Sequence, residues 1–270
     1  MVKLLISCLN LSLLLCLFSC KTDQDKAKEA YNFGMHYFEE GSVGRVNALI
    51  RALECDTSFT PAAFELANTY LKRGLLQQWR SYINQAVMSD SVQYLPFRGY
   101  AYLWYFKDYK KALSDFNSLK NSDVKLTKLP EAVNLNYWRG IAYLGAENYR
   151  QSVASFSAFL QTTNTQSTAK QNIATAYLYR GIALYKMKAY KKARNNFSKL
   201  LEYSTFNQAD AFYYLALIAK QERAIHVARK HINSALVAYK AGHYNKRPDV
   251  ETLHQIYLED LLHLKNQLTL

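Results

Sequence analysis

A short phrase that recurs inside a longer pattern is the feature that most limits what this chain can fold into. The residues Arg-Gly-Ile-Ala stand at 139–142 and again at 180–183. In each copy a Tyr follows the Gly after nine residues and a Phe follows it after sixteen. Small and large residues that return at fixed offsets are typical of short helices that cross each other at a repeated contact point. The sequence therefore predicts an array of similar helical units.

Six segments of the chain share this spacing of small and apolar residues. They span residues 27–57, 60–91, 94–121, 133–165, 174–205 and 209–238. The whole chain has only 4 Pro and 9 Gly, a composition that favours helix throughout. We expect one helix pair in each unit, with a Gly or Ala where the two helices cross closely. Gly41 and Gly74 are expected in the turns between helices, where a positive φ is useful.

The recurring motif has the general form Gly-x2-Tyr-x5-Tyr-x2-Ala-x3-Phe, and the first unit closes with Ala-Leu-Glu-Cys-Asp at 52–56. Both features resemble the tetratricopeptide repeat (TPR) family. The resemblance covers residues 27–238 and implies an all-α fold, a right-handed TPR-type helical solenoid of about six helix pairs. The family repeats every 34 residues, and the wider spacing here places polar connections at 120–130 and 162–172. These connections are either solvated loops or loops that contact a partner.

The pattern changes after Gly242. Pro248 and Asp249 are typical of a helix start, with Asp249 as the N-cap. Apolar residues then recur at helical spacing as far as Leu268. We expect a C-terminal capping helix at 249–268 that covers the open end of the array, since repeat arrays need such a cover. Docking of this helix into a partner is the alternative.

The N-terminus is typical of an exported protein. A Lys near the start precedes an apolar stretch, so residues 1–19 are expected to be a signal peptide. The residues Leu-Phe-Ser-Cys at 17–20 resemble the lipobox of bacterial lipoproteins, which implies that Cys20 is lipidated. An uncleaved N-terminal anchor or an ordinary secreted protein are the alternatives. Residues 20–26 are polar and are expected to form a flexible tether.

The resemblance to lipoproteins also implies a location. Lys21 follows Cys20, instead of the Asp that retains enterobacterial lipoproteins in the inner membrane. This implies a bacterial envelope protein held in the outer membrane by its lipid, on the periplasmic or the surface face. Beyond the signal peptide and Cys20 the sequence has only Cys55, so no internal disulfide is expected.

The sequence contains none of the motifs that usually carry catalysis. The six His residues lack zinc-binding spacing, and there is no phosphate-binding Gly loop or nucleophile elbow. We therefore expect that the chain is not an enzyme and that it has neither a cofactor nor a metal site. The net charge of +13 predicts a basic surface, with cations clustered at the starts of second helices, for example at 110–111 and 191–192. For an exported chain this favours anionic lipid or an acidic protein over nucleic acid.

The resemblance to the TPR family implies a binding groove lined by first helices. In that family the groove positions lie three residues before, one after and four after the small anchor residue. In this sequence they are Phe64, Asn68, Leu71, Tyr137, Ile141, Leu144, Leu178, Ile182, Tyr185, Tyr213, Leu217 and Lys220.

These observations predict a lipid-anchored envelope scaffold or adaptor that binds another envelope protein through the groove. A glycan- or nutrient-binding outer-membrane lipoprotein is the alternative function, since helical repeats also underlie some proteins of that kind. An enzyme with an unrecognised site is a third.

Overall fold

The computed structural model describes residues 21–120, 134–162, 170–203 and 208–269. The expected signal peptide and Cys20 lie outside these ranges, as do residues 121–130 and 163–169 of the expected connections. Residues 170–172 were expected in a connection but belong to a helix. The described residues form thirteen α-helices and no strand. The helices are α1 Asp23–Tyr37, α2 Val43–Cys55, α3 Thr60–Lys72, α4 Leu76–Ser89, α5 Ser91–Trp104, α6 Tyr109–Asn117, α7 Leu135–Gly145, α8 Tyr149–Thr162, α9 Lys170–Lys186, α10 Tyr190–Tyr203, α11 Gln208–Gln221, α12 Ile225–Lys240 and α13 Leu258–Thr269.

The first twelve helices form the six predicted pairs. Each odd-numbered helix packs against the even-numbered helix that follows it. The chain divides into two compact units, Met1–Tyr94 and Leu95–Leu270. In the first unit α2 also packs on α3, and in the second α8 packs on α9 and α10 on α11. The pairs are therefore stacked within each unit, as the repeat pattern predicts.

At two of the predicted crossing points, Gly140 and Gly181, a Phe of the second helix fills the space beside the Gly. A Cβ added to Gly140 would lie 2.8 Å from the ring of Phe156, and one added to Gly181 would lie 2.6 Å from Phe197. The repeated Gly therefore makes room for the repeated Phe of the second helix. At Gly140 the small residue of that helix has a separate role, because the Ser152 hydroxyl donates a 2.8 Å hydrogen bond to the Gly140 carbonyl.

The turns within the pairs share one feature, a residue with positive φ. Gly41 and Gly74 have φ of 76° and 71°, as predicted. In the later pairs the turn holds a residue with a side chain at positive φ, for example Glu147 and Lys188, both at 59°. A residue other than Gly is strained there, so the four later turns depart from the residue type that best fits them.

The first helix begins earlier than predicted. Residues 23–26 belong to α1 and not to a tether. Thr22 caps the helix, because its hydroxyl accepts a hydrogen bond from the backbone N–H of Asp25 while the Asp25 carboxylate accepts one from the backbone N–H of Thr22. Two acidic residues in the first turn, Asp23 and Asp25, also complement the helix dipole.

The C-terminal helix is shorter than predicted. It begins at Leu258, and the expected start at Asp249 is wrong. Residues 242–257 form an irregular segment, named the strap below. The Asp260 carboxylate accepts a hydrogen bond from the backbone N–H of Tyr257, which fixes the start of α13. The apolar residues of α13 are buried against α12 and α11, as a cover for the last pair requires: Leu261, Leu264 and Leu268.

Within the ranges that the structure describes, none of the helices is both long enough and apolar enough to span a membrane.

Candidate functional site

The structure separates the twelve predicted groove residues into two groups. Five of them, in α7 and α9, are at most 2% exposed and lie in the core of the second unit. A side chain buried to that extent cannot contact a partner while this arrangement persists, so the assignment of these five to an open groove is corrected. They are Tyr137, Ile141, Leu144, Leu178 and Ile182.

In the first unit all three predicted groove residues are half-buried and reach the surface. They form what we name the α3 face: Phe64, Asn68 and Leu71. Phe64 packs on Tyr94 with 5.0 Å between ring centroids, so the apolar part of this face is fixed in place.

The half-buried carboxyl group of Glu65 lies next to the α3 face. Burial is the dominant effect on the pKa of Glu65 and raises it. The positive charge of Arg45 opposes that rise. Burial also raises the pKa of the Tyr31 phenol, to which the nearby charge of Glu65 adds. The Arg45 Nε is buried without an acceptor among the described residues. The α3 face therefore lies beside the Glu65 carboxyl and the Arg45 Nε, and the latter has no acceptor among the described residues.

The remaining groove residues of the second unit are half-buried, and those in α11 lie beside α13. The Lys220 ammonium donates to the Gln267 side chain of α13. Burial raises the pKa of Tyr213, and the negative charge of Asp260 raises it further. Leu217 packs against the core cluster of the last pair. In α9, Tyr185 contacts Tyr214 with 5.5 Å between ring centroids.

The strap lies across the first helices of the second unit. It begins at α11, where the His243 carbonyl accepts a 3.0 Å hydrogen bond from the backbone N–H of Ala209. It reaches the end of α5, where the Lys107 ammonium donates a 2.8 Å hydrogen bond to the Glu251 carbonyl. It returns to the core cluster of the last pair through Ile256, which is 2% exposed. The strap therefore contacts α5, α11 and the last pair, and it lines a cavity together with Tyr137, a predicted groove residue.

Asn245 connects the first part of the strap to α11 and α9. Its backbone N–H donates a 2.8 Å hydrogen bond to the Asp210 carboxylate, and its side-chain amide donates a 3.0 Å hydrogen bond to the Tyr179 hydroxyl. Asp210 is fully buried, and burial raises its pKa from 3.8 to about 7, although the hydrogen bond from Asn245 opposes that rise. A buried carboxyl without a cation is costly to ionise, so the strap meets α11 at a group that titrates near neutral pH.

Arg247 anchors the strap at α5. Its guanidinium lies 4.3 Å from the ring centroid of Trp104 and donates a hydrogen bond to the Tyr100 hydroxyl. Stacking of a guanidinium on an aromatic ring is favourable and more so when water is excluded. The Trp104 indole N–H is buried and has no acceptor among the described residues.

A cavity of about 360 Å³ remains beside the strap. Its walls combine aromatic rings, amides, hydroxyls and two cations: Trp104, Tyr137, Gln171, Asn172, Thr175, Tyr179, Asn245, Lys246, Arg247, Pro248 and Thr252. The repeat pattern does not predict this site, because the strap residues lie outside every repeat and contact helices that are distant in sequence.

The cations predicted at the starts of second helices are exposed, for example Lys110 and Lys191. They form the basic surface that the net charge predicts. Among the described residues no three His, Cys, Asp or Glu side chains are grouped so that they could hold a metal ion.

Comparisons with solved structures identify the fold. The chain is similar to PilF of Pseudomonas aeruginosa, with 18% sequence identity and a TM-score of 0.59 over 82% of this chain and 95% of that one. It is similar to PilW, described as a widely conserved type IV pilus biogenesis factor, with 14% identity and a TM-score of 0.59 over 91% and 99% of the two chains. It is also similar to YrrB, described as a TPR protein with an unusual peptide-binding site, with 17% identity and a TM-score of 0.55 over 82% and 99%.

No family model and no curated protein matches the sequence. At these identities the likeness to solved structures shows the fold alone. That fold is an all-α TPR-type helical solenoid, as the repeat pattern predicts.

Proposed function

We propose that this chain is a lipid-anchored scaffold of the bacterial envelope that binds another protein through the α3 face. The observation that carries the proposal is the half-exposed state of Phe64, Asn68 and Leu71 on a TPR-type fold. An apolar surface with an amide at its centre suits a helix or an extended segment of a partner. The corresponding surface of the second unit is covered by the strap and is not needed for this proposal.

The comparisons support protein recognition. YrrB is described as having a peptide-binding site, and PilW as a pilus biogenesis factor. An envelope partner fits the second description. Neither description favours the alternative of glycan or nutrient binding.

The anchor proposal rests on the sequence of residues 17–20. Lipidation of Cys20 would place the cap of α1, at Thr22, two residues from the membrane attachment point. A tether this short holds the first unit near the bilayer, which brings the α3 face close to other envelope proteins. The outer membrane is the proposed location.

The test is crosslinking of the full-length chain in its native membrane, followed by identification of what is captured. Leu71→Glu places a charge on the α3 face, and Val237→Glu is the matched control on a side chain of α12 that is 70% exposed. We expect one envelope protein to be captured by the wild type and the control, and at least about tenfold less of it by Leu71→Glu, since a charge buried at an interface costs more than 1.4 kcal/mol.

A parallel Cys20→Ala variant tests the anchor separately. We expect it to lose incorporation of a labelled fatty acid and to leave the membrane fraction. Equal capture by Leu71→Glu and Val237→Glu would reject the α3 face as the binding surface. Fatty-acid incorporation that survives in Cys20→Ala would reject the anchor.

A further inference from the structure

The strap differs from the helix pairs because it has no regular secondary structure. The six helix pairs are complete at Lys240, and α13 covers the apolar end of the last pair together with Ile256 of the strap. The strap between them has no regular structure, and side chains of α5, α9 and α11 hold it. A segment without helix or strand that is held by side chains of several first helices resembles a bound peptide.

The contacts of the strap are specific to residue type. Asn245 uses both its backbone N–H and its side-chain amide, on two different helices. Arg247, two residues on, stacks on Trp104 and bonds Tyr100. The surface beneath matches these groups, because it offers a carboxyl, a phenol and an electron-rich indole.

We propose that the strap is a peptide bound in cis, and that the face beneath it recognises a partner segment with an Asn and, two residues later, an Arg. The proposal deepens the proposed function by naming the chemistry of a second partner segment. It concerns the second unit and not the α3 face, so the two can fail independently.

The cavity beside the strap gives a partner segment an advantage. A segment tethered at both ends competes at an effective concentration on the order of millimolar. A partner that made only the contacts of the strap would therefore bind weakly. The cavity of about 360 Å³ presents further groups on α9, among them Gln171 and Thr175, that a longer partner side chain can reach. The strap occupies its site incompletely, and this incomplete fit allows competition.

The buried polar groups explain why a peptide is needed there. Asp210 is fully buried, and its carboxylate accepts the backbone N–H of Asn245. A buried carboxyl that loses its donor without replacement destabilises the fold, because its oxygen is left without a hydrogen bond. A partner segment in the same irregular form supplies the same N–H, whereas the middle of a partner helix cannot, because the N–H groups there are already bonded.

The test uses the purified full chain and a fluorescent peptide with the sequence of residues 242–253. Asn245→Ala combined with Arg247→Ala weakens the strap in cis, and Lys230→Ala is the control for loss of an exposed cation elsewhere. A second peptide carries Ala at both recognition positions. Anisotropy measures binding, hydrogen exchange of 242–257 reports release of the strap, and far-UV circular dichroism reports the helices.

We expect the double variant to keep its helices, to exchange faster in the strap, and to bind the native peptide at least about tenfold more tightly than the wild type does. The Ala peptide should bind at least about tenfold more weakly than the native one. If the double variant loses helix, Arg247→Ala alone serves, with the same order of affinities and a smaller gain.

Two results would overturn the proposal. If the strap exchanges no faster in the variants, its side-chain contacts do not hold it. If the strap is released and the two peptides bind equally or neither binds, the face does not read these residues on a separate chain, and the strap is a fixed part of the fold. A Leu71→Glu chain should behave as the wild type does in this assay, whatever becomes of the α3 face.

Discussion

The pKa of Asp210 makes the stability of the second unit depend on pH. Burial raises this pKa from 3.8 to about 7. Between these two values the unfolded chain has lost the proton while the folded chain keeps it. The unfolded state then binds fewer protons, so the free energy of unfolding falls as pH rises through this window. A difference of about three pKa units corresponds to about 4 kcal/mol.

The substitution Asp210→Asn isolates this effect. The Asn side-chain oxygen can accept the same backbone N–H from Asn245, and it does not titrate. The comparison removes the effect of His254, whose pKa burial lowers to about 4. We therefore expect the stability of the wild type, measured relative to Asp210→Asn, to fall by up to about 4 kcal/mol between pH 4 and pH 7 and to level off above pH 7.

Urea denaturation at four pH values from 4 to 8 measures the difference. Asp249→Asn, an exposed carboxyl of the strap, is the control and should track the wild type at every pH. A difference between wild type and Asp210→Asn that stays within about 0.5 kcal/mol from pH 4 to pH 8 would refute the reasoning, because the carboxyl would then ionise as in water.

Three further predictions concern packing, turn strain and a buried His. Gly140→Ala forces a methyl group to within 2.8 Å of the Phe156 ring and should cost about 1–3 kcal/mol by denaturant titration, with Phe156→Leu in the same chain relieving part of the loss. Lys188→Gly removes strain at φ 59° and should raise the free energy of unfolding by up to about 1 kcal/mol, whereas Ser198→Gly, at an exposed position inside α10, should lower it. The stability of the wild type, measured relative to His254→Gln so that the effect of Asp210 cancels, should fall as pH falls from 6.5 towards 4, because the folded chain keeps this His neutral while the unfolded chain binds a proton.

The helix pairs were predictable because their cause is local. A Gly with a Phe sixteen residues later appears in the sequence at 140 and 156, and the structure shows that ring filling the space a Cβ would occupy. The turns were partly predictable for the same reason, as Gly41 and Gly74 show. The pairing of the helices in the described residues follows from this spacing.

The strap and the burial of the groove were not predictable in the same way. Pro248 and Asp249 have a sound local preference for a helix start, yet the segment bonds to Asp210, Tyr179 and Tyr100, which lie far away in sequence. Tertiary contacts therefore override the local signal. Tyr137 is a groove position in the repeat pattern, but it is buried here beside the strap, which no repeat offset encodes.

Binding of a partner protein to the α3 face can be tested in cells. A photoreactive residue is placed at position 71 or at position 237 of the full-length chain, and the cells are irradiated. We expect one discrete crosslinked envelope protein from position 71 and none from position 237. Crosslinks to the same protein from both positions, or from neither, would contradict this expectation.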